Sequence, residues 1–147
     1  MRAAGCYQAD EVLYTGQRYE KASKFQTDTK NVSNKIPLKG VESFLDNLSE
    51  ETSIVCVDFA EGATPLPEFQ HPENAIYIFG PEDGSISQDV ADRAHHVVYV
   101  PTIGCMNLAA SVNVLLYDRL AKSTTMDTSE DLIKSSRDNR NHLVVKK

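Results

Sequence analysis

The sequence predicts an α/β domain built on a mostly parallel sheet with helices on both faces. Three observations carry that expectation. Short runs of nearly continuous apolar, β-branched residues recur along the chain; most of them end at glycine or proline; and segments of helical spacing lie between them. The 147 residues suit one domain, which at this size buries about two-thirds of its unfolded surface.

The elements follow in order. Residues 1–9 read as a small helix, and Glu11-Val12-Leu13-Tyr14, closed by Thr15-Gly16, reads as a buried strand. From Gln17 to Gly40 the pattern weakens, so a short helix around Arg18 to Lys24 and then a long irregular loop are expected. Val41 to Leu48 places apolar residues at 41, 44, 45 and 48, the spacing of a helix. Ser53 to Val57, Ala75 to Phe79 and His96 to Val100 read as strands, the last two ending at Gly80-Pro81 and Pro101. Gln88 to Arg93 can form a helix. Met106 to Lys122 reads as a long one, apolar on nearly every face and therefore expected to be buried on two sides. Residues 1–122 are read as the domain, and 123–147 as a polar, weakly ordered tail with a helical stretch around Ser129 to Ser136.

Composition excludes several classes. With 41% hydrophobic and 24% charged residues the chain is neither collagen-like nor wholly disordered. It has no apolar stretch of the ~18 residues a membrane span needs, so no membrane partner is expected. Cys6, Cys56 and Cys105 form no CxxC pair, which points to buried, reduced thiols and a cytoplasmic location. No metal is expected, since His95-His96 lacks a third ligand at suitable spacing.

The net charge of −6 argues against coating nucleic acid through the overall field, and no DNA partner is expected. The charge is unevenly spread. Residues 16–40 carry six bases against two acids, whereas residues 41–95 carry twelve acids against Arg93 alone. A basic segment thus adjoins an acidic body, either as a solvated loop or as a landing strip for a polyanion.

In parallel sheets, ligands bind beyond the carboxyl ends of the strands. Three segments lie there: Asp58 to Gly62, Gly80 to Gly84, and Pro101 to Asn107. Neither GxGxxG nor a P-loop is present, so nicotinamide-dinucleotide and ATP readings lack support.

Ile76-Tyr77-Ile78-Phe79-Gly80-Pro81-Glu82, then Val100-Pro101, then Cys105-Met106-Asn107-Leu108-Ala109 opening a helix that closes in Tyr117-Asp118, resembles the SPOUT superfamily. More narrowly it is similar to the SpoU/TrmH-type RNA 2′-O-ribose methyltransferases. Their arginine motif resembles Met1 to Val12, with its arginine on Arg2. In that family a strand and an N-x-G turn precede the motif, so the resemblance implies that a strand and part of the site are missing, through an upstream start or a truncated domain. Cys105 and Ala109 stand where the family has serines, and Ser85 where glycine is common.

The resemblance implies a C-terminal trefoil knot, S-adenosylmethionine as cofactor, an RNA substrate (tRNA or rRNA) and a homodimer. It assigns cofactor contacts to Phe59, Ala60, Glu61, Phe79, Gly80, Val100, Pro101, Cys105 and Met106, and catalytic roles to Arg2, Glu82 and Asn107. The residue types suit this, because adenine needs apolar walls with a few polar groups at the rim. Methyl transfer from a sulfonium needs mainly an aligned nucleophile, and a guanidinium fork such as that of Arg2 can hold phosphate and stabilise a developing alkoxide. By residue type alone, Arg2 also reads as a surface residue near a chain end, and Glu82 and Asn107 as helix caps. Arg18, Lys21, Lys24 and Lys30 are the expected RNA contacts. A catalytically inactive RNA- or cofactor-binding protein of the same fold is the alternative. A Gly80→Val substitution is expected to exclude the cofactor while sparing the fold.

Overall fold

Val55, Val57 and Val98 face the same side of a parallel sheet and, with Leu66, Phe69 and Leu115, form the core. A computed structural model describes residues 1–17, 35–81 and 83–146. Its elements are α1 (Arg2–Cys6), β1 (Val12–Tyr14), β2 (Leu38–Gly40), β3 (Ser53–Val57), β4 (Thr64–Pro65), a 3-10 turn (Leu66–Glu68), β5 (Ala75–Phe79), α2 (Gln88–Asp92), β6 (His96–Tyr99), α3 (Leu108–Lys122) and α4 (Glu130–Ser136).

Among the described residues, β4-β6-β3-β5 form one sheet and β1-β2 another, and every ladder is parallel. The register sets Cys56 beside Ile78 and Val57 beside Phe79. Alternation along the strand turns Cys56 and Ile78 to the face opposite Val55 and Val57, and both are also closed to solvent. The expected α/β layering with a sheet buried on both sides is what the strands adopt.

Several expectations need correction. The loop expected to run to Gly40 ends in a strand, β2, which pairs with β1 through the backbone although Lys39 and Gly40 are exposed. Its placement depends on Tyr14, whose ring would lie 3.1 Å from a Cβ at Gly40, so only glycine packs there without a shift. Val41 to Leu48 forms turns and no helix. The Ser43 hydroxyl accepts the Leu45 N–H at 3.2 Å, and Asn47 sits at φ 59, each of which competes with a helical ladder. The short helix expected around Arg18 to Lys24 lies outside the described residues.

The cysteines also differ from expectation: Cys56 is buried, but Cys6 and Cys105 are exposed. The long helix α3 starts at Leu108 because Asn107 is its N-cap, the Oδ1 accepting the Ala110 N–H at 2.8 Å. Among the described residues it is not buried on two sides as expected. Leu115 is fully enclosed, whereas Val114 and Tyr117 are 38% and 58% exposed.

The carboxyl-terminal half of α3 is fastened to the segment between β4 and β5. Arg119 donates to the carbonyls of Pro72 and Glu73, and Lys122 to those of Leu66 and Phe69. Lys122 also pairs with Asp118 at 2.7 Å. Cations in the last turn of a helix are favoured by its dipole, and here they also satisfy four loop carbonyls. No helix among the described residues is long and apolar enough to cross a membrane.

Candidate functional site

Beyond the carboxyl ends of β3, β5 and β6 the chain leaves the sheet in three loops, and between them lies a cavity of about 130 Å³. Phe59 comes from the first loop; Phe79 from the end of β5, with Gly80, Pro81 and Gly84 from the second loop; Val100, Thr102, Cys105 and Met106 from the third, with Leu108 and Ser111 of α3 closing one side. The walls are largely apolar, and Phe59 stacks obliquely on Tyr99 with ring centroids 5.8 Å apart. Clefts for whole drug-sized ligands run to ~300–1,000 Å³, so this half-open cavity can cover only one part of such a ligand.

Each loop is held by its own polar contacts. Asp58 Oδ1 accepts the Phe59 N–H at 2.8 Å, and Oδ2 accepts the Ile86 N–H at 2.9 Å, tying the first loop to the far end of the second. The Asp58 N–H donates to Val98 O at 3.0 Å, which joins the first loop to β6. In the third loop the Thr102 hydroxyl donates to Gly104 O at 2.9 Å, and Gly104 adopts φ +81, a conformation open to glycine at no steric cost. Burial raises the Cys56 thiol above its ordinary pKa, and the Asp58 charge raises it further.

Of the residues expected to hold a cofactor, Phe59, Phe79, Gly80, Val100, Cys105 and Met106 come together around this cavity. Ala60, Glu61 and Pro101 are not among its lining residues: Ala60 and Glu61 are exposed on the first loop, and Pro101 lines a neighbouring groove. Asn107 caps α3 beside Met106. Arg2 is exposed on α1, which packs against α3, and it has an interaction partner within the chain. Glu82, Arg18, Lys21, Lys24 and Lys30 lie outside the described residues.

Two lining features escaped the sequence reading. Ser111 enters the cavity from the second turn of α3, and Asp58 acts as a brace between loops. Asp58 heads the segment Asp58 to Gly62 that the sequence places beyond β3, but its bond to Ile86 has no signal in the sequence. The Gly80 expectation also changes: a Cβ there would meet Ile86 N at 3.1 Å and Asp58 Oδ2 at 3.2 Å, so a valine would disturb the loop itself and would not spare the local fold. His95 and His96 serve the sheet instead: Ile54 N–H donates to His95 Nδ1 at 2.9 Å, and the His96 ring meets Phe69 edge-on at 5.3 Å. No group of three potential metal ligands occurs among the described residues.

A second, open groove of about 310 Å³ runs along α3 on the other side of Val100, lined by Leu66, Pro67, Pro101, Val114, Tyr117, Asp118 and Ala121.

The family model described as the SpoU rRNA Methylase family matches residues 1–117. No curated protein matches the chain. Among solved structures, the fold is similar to the SpoU methyltransferase AviRb from Streptomyces viridochromogenes in complex with AdoMet, with a TM-score of 0.67 and 18% identity over 80% of this chain and 49% of that one. It is also similar to an A. aeolicus TrmH/SpoU tRNA modifying enzyme (TM-score 0.63, 14% identity, 80% of this chain and 64% of that one). An rRNA methyltransferase from Sinorhizobium meliloti matches with a TM-score of 0.58 and 16% identity over 82% of this chain and 48% of that one. The chain thus spans about half the length of the AviRb and Sinorhizobium meliloti structures it matches.

Proposed function

The chain belongs to the SpoU rRNA methylase family, and on that premise we propose that it is an S-adenosylmethionine-dependent RNA methyltransferase acting on a ribose 2′-oxygen in tRNA or rRNA. The observation that carries this reading is the apolar cavity at the carboxyl ends of three parallel strands, walled by Phe59, Phe79, Val100 and Met106. Those walls, with loop backbone at the rim, fit the adenine end of the cofactor. The solved AviRb structure in complex with AdoMet, similar in fold, supports the same choice of ligand.

When bound, S-adenosylmethionine supplies a methyl group on a sulfonium, already attached to a good leaving group. The work left to the chain is orientation. Phe59, Phe79, Gly80, Val100, Cys105 and Met106 would hold the part of the donor inside the cavity, and Ala60, Glu61 and Pro101 the part that extends beyond it, with a trefoil knot at the C-terminal end of the domain. Arg2 would grip the phosphate beside the target ribose and favour the ionised hydroxyl electrostatically, while Glu82 and Asn107 would orient the substrate. Lys21, Lys24 and Lys30, with Arg18, would contact flanking phosphates, which the strongly acidic stretch from 41 to 95 would otherwise repel. The reading places residues 1–122 in the methyltransferase domain and the protein in the cytoplasm as a homodimer, the partner covering Val114 and Tyr117.

Calorimetric titration with S-adenosylmethionine, followed by transfer of labelled methyl to total tRNA and rRNA and alkaline hydrolysis, tests the reading. A 2′-O-methylated ribose leaves an alkali-resistant dinucleotide; label released as a base-methylated mononucleotide overturns the ribose assignment. Binding without transfer selects the inactive alternative. Neutralising Lys21, Lys24 and Lys30 together should flatten the salt dependence of RNA binding by roughly two to three units; coincident slopes would remove the basic segment from the interface.

A further inference from the structure

We propose that Asp58 is a positioning residue of the cofactor cavity: its carboxylate braces the loop after β3 against the loop after β5 and so fixes the relative placement of two of the cavity's walls. The proposal rests on the reading of that cavity as the S-adenosylmethionine site.

Strands β3 and β5 are held together up to Val57 and Phe79, the last pair of their ladder. Past that point no ladder hydrogen bond keeps the two chains in register. Asp58 is the first residue beyond the ladder on one side, and each of its carboxylate oxygens takes a backbone donor: Phe59 N–H on its own loop at 2.8 Å, and Ile86 N–H, 28 residues further along the chain, at 2.9 Å. Phe59, Gly80 and Gly84 on these two loops line the cavity, and Asp58 lines it too.

The fit around the carboxylate is close. A Cβ on Gly80 would stand 3.2 Å from Asp58 Oδ2 and 3.1 Å from Ile86 N, so the second loop wraps over the carboxylate closely enough that any side chain at Gly80 would push these neighbours by a few tenths of an ångström. Hydrogen bonds to an ionised acceptor are about twice as strong as neutral ones, and here two of them converge on one side chain. The third loop is organised separately by Thr102. Losing Asp58 therefore releases the first two loops from each other while leaving the third, and the ladders, in place.

The test compares wild type with Asp58→Ala and with Asp58→Asn, the latter keeping side-chain size and one acceptor oxygen should the alanine variant fail to fold. Amide hydrogen exchange without ligand comes first. Protection at Ile86 should fall by about tenfold in Asp58→Ala and less in Asp58→Asn, with Ile78 and Val98 unchanged. Calorimetry with S-adenosylmethionine and with its uncharged thioether product, S-adenosylhomocysteine, comes second. A positioning residue weakens both ligands by the same factor, about tenfold in Asp58→Ala.

Unchanged Ile86 protection overturns the brace. Lost protection with both ligands bound as tightly as before reduces Asp58 to a staple of stability and overturns its role at the site. Weakened binding of the sulfonium ligand alone means direct attraction between charges and overturns action through the loops. A wild type that binds neither ligand overturns the cofactor reading itself, and the Ile86 exchange data then still show whether the brace exists.

Discussion

His71 Nε2 lies 2.8 Å from the Asp118 carboxylate, joining the β4–β5 connection to α3 across 47 residues of chain. One arrangement of protons gives every donor an acceptor. Arg119 can only donate, so Tyr77 Oη accepts its Nη1 at 2.8 Å and turns its own proton to His71 Nδ1 at 2.7 Å; the other ring nitrogen then carries the proton given to Asp118. In this relay the imidazole is neutral and each donor has an acceptor. Proton uptake at Nδ1 would leave the Tyr77 hydroxyl proton without its acceptor.

The pH dependence of stability follows. Burial, the largest cause, lowers the His71 pKa below its ordinary value of 6.5, against the opposing pull of Asp118. A base with a depressed folded-state pKa binds fewer protons folded than unfolded. Its contribution is fully present above pH 6.5 and is lost as the pH falls below that value toward the folded-state pKa. Thermal melts between about pH 7.5 and 5.5 should fall more steeply for wild type than for His71→Gln. Parallel slopes would mean that His71 takes up its proton without cost.

Asn107 has a structural role and a proposed chemical one, and substitutions can separate them. Asn107→Ala should cost about 0.5–2 kcal/mol through loss of the cap on α3, read from denaturant midpoints. Asn107→Ser keeps a capping oxygen and should restore most of that stability. If Asn107 also orients substrate, the serine variant stays far below wild type in methyl transfer; full activity there would leave the residue as a cap.

Gly80→Ala inserts one methyl group between Asp58 and Ile86. Overpacking of this kind costs about 1–3 kcal/mol, and here the strain falls on a cavity wall. Cofactor affinity should therefore drop at least tenfold, by calorimetry, in a protein that still melts cooperatively. Undiminished affinity would place the cofactor elsewhere.

Tyr117→Glu puts a charge on the open side of α3, one helical turn from Val114. In a dimer closed over that side the charge would be buried and unpaired, so light scattering at micromolar protein should show a dimeric wild type and a monomeric variant with a similar melting temperature. A wild type that is monomeric under these conditions would refute the dimer.

The strands that the sequence makes plain are those whose signal is local. Ser53 to Val57 and Ala75 to Phe79 are β-branched runs long enough to be read alone, and the apolar density of α3 announces a helix whose start is marked by Asn107. Leu38–Gly40 and Thr64–Pro65 carry no such run; they are strands because a neighbouring backbone offers them a ladder. Val41 to Leu48 shows the reverse, a helical spacing undone by one serine hydroxyl and one left-handed asparagine. At the site, aromatic and glycine positions could be read from their place after strands. The task of Asp58 could not, since its partner Ile86 is brought to it only by the folded sheet.

The uniformly parallel ladders also bear on how quickly this molecule can assemble. Ser53 must find Ala75, Val12 must find Leu38, Thr64 must find Val98 and Val55 must find His96. None of these pairs can be closed by a tight turn, so among the described residues no hairpin is available to nucleate the sheet, and each ladder begins with the entropy of a long loop already spent. Such a topology folds slowly for its size, and while the strands wait for one another their unpaired edges are open to any other extended chain.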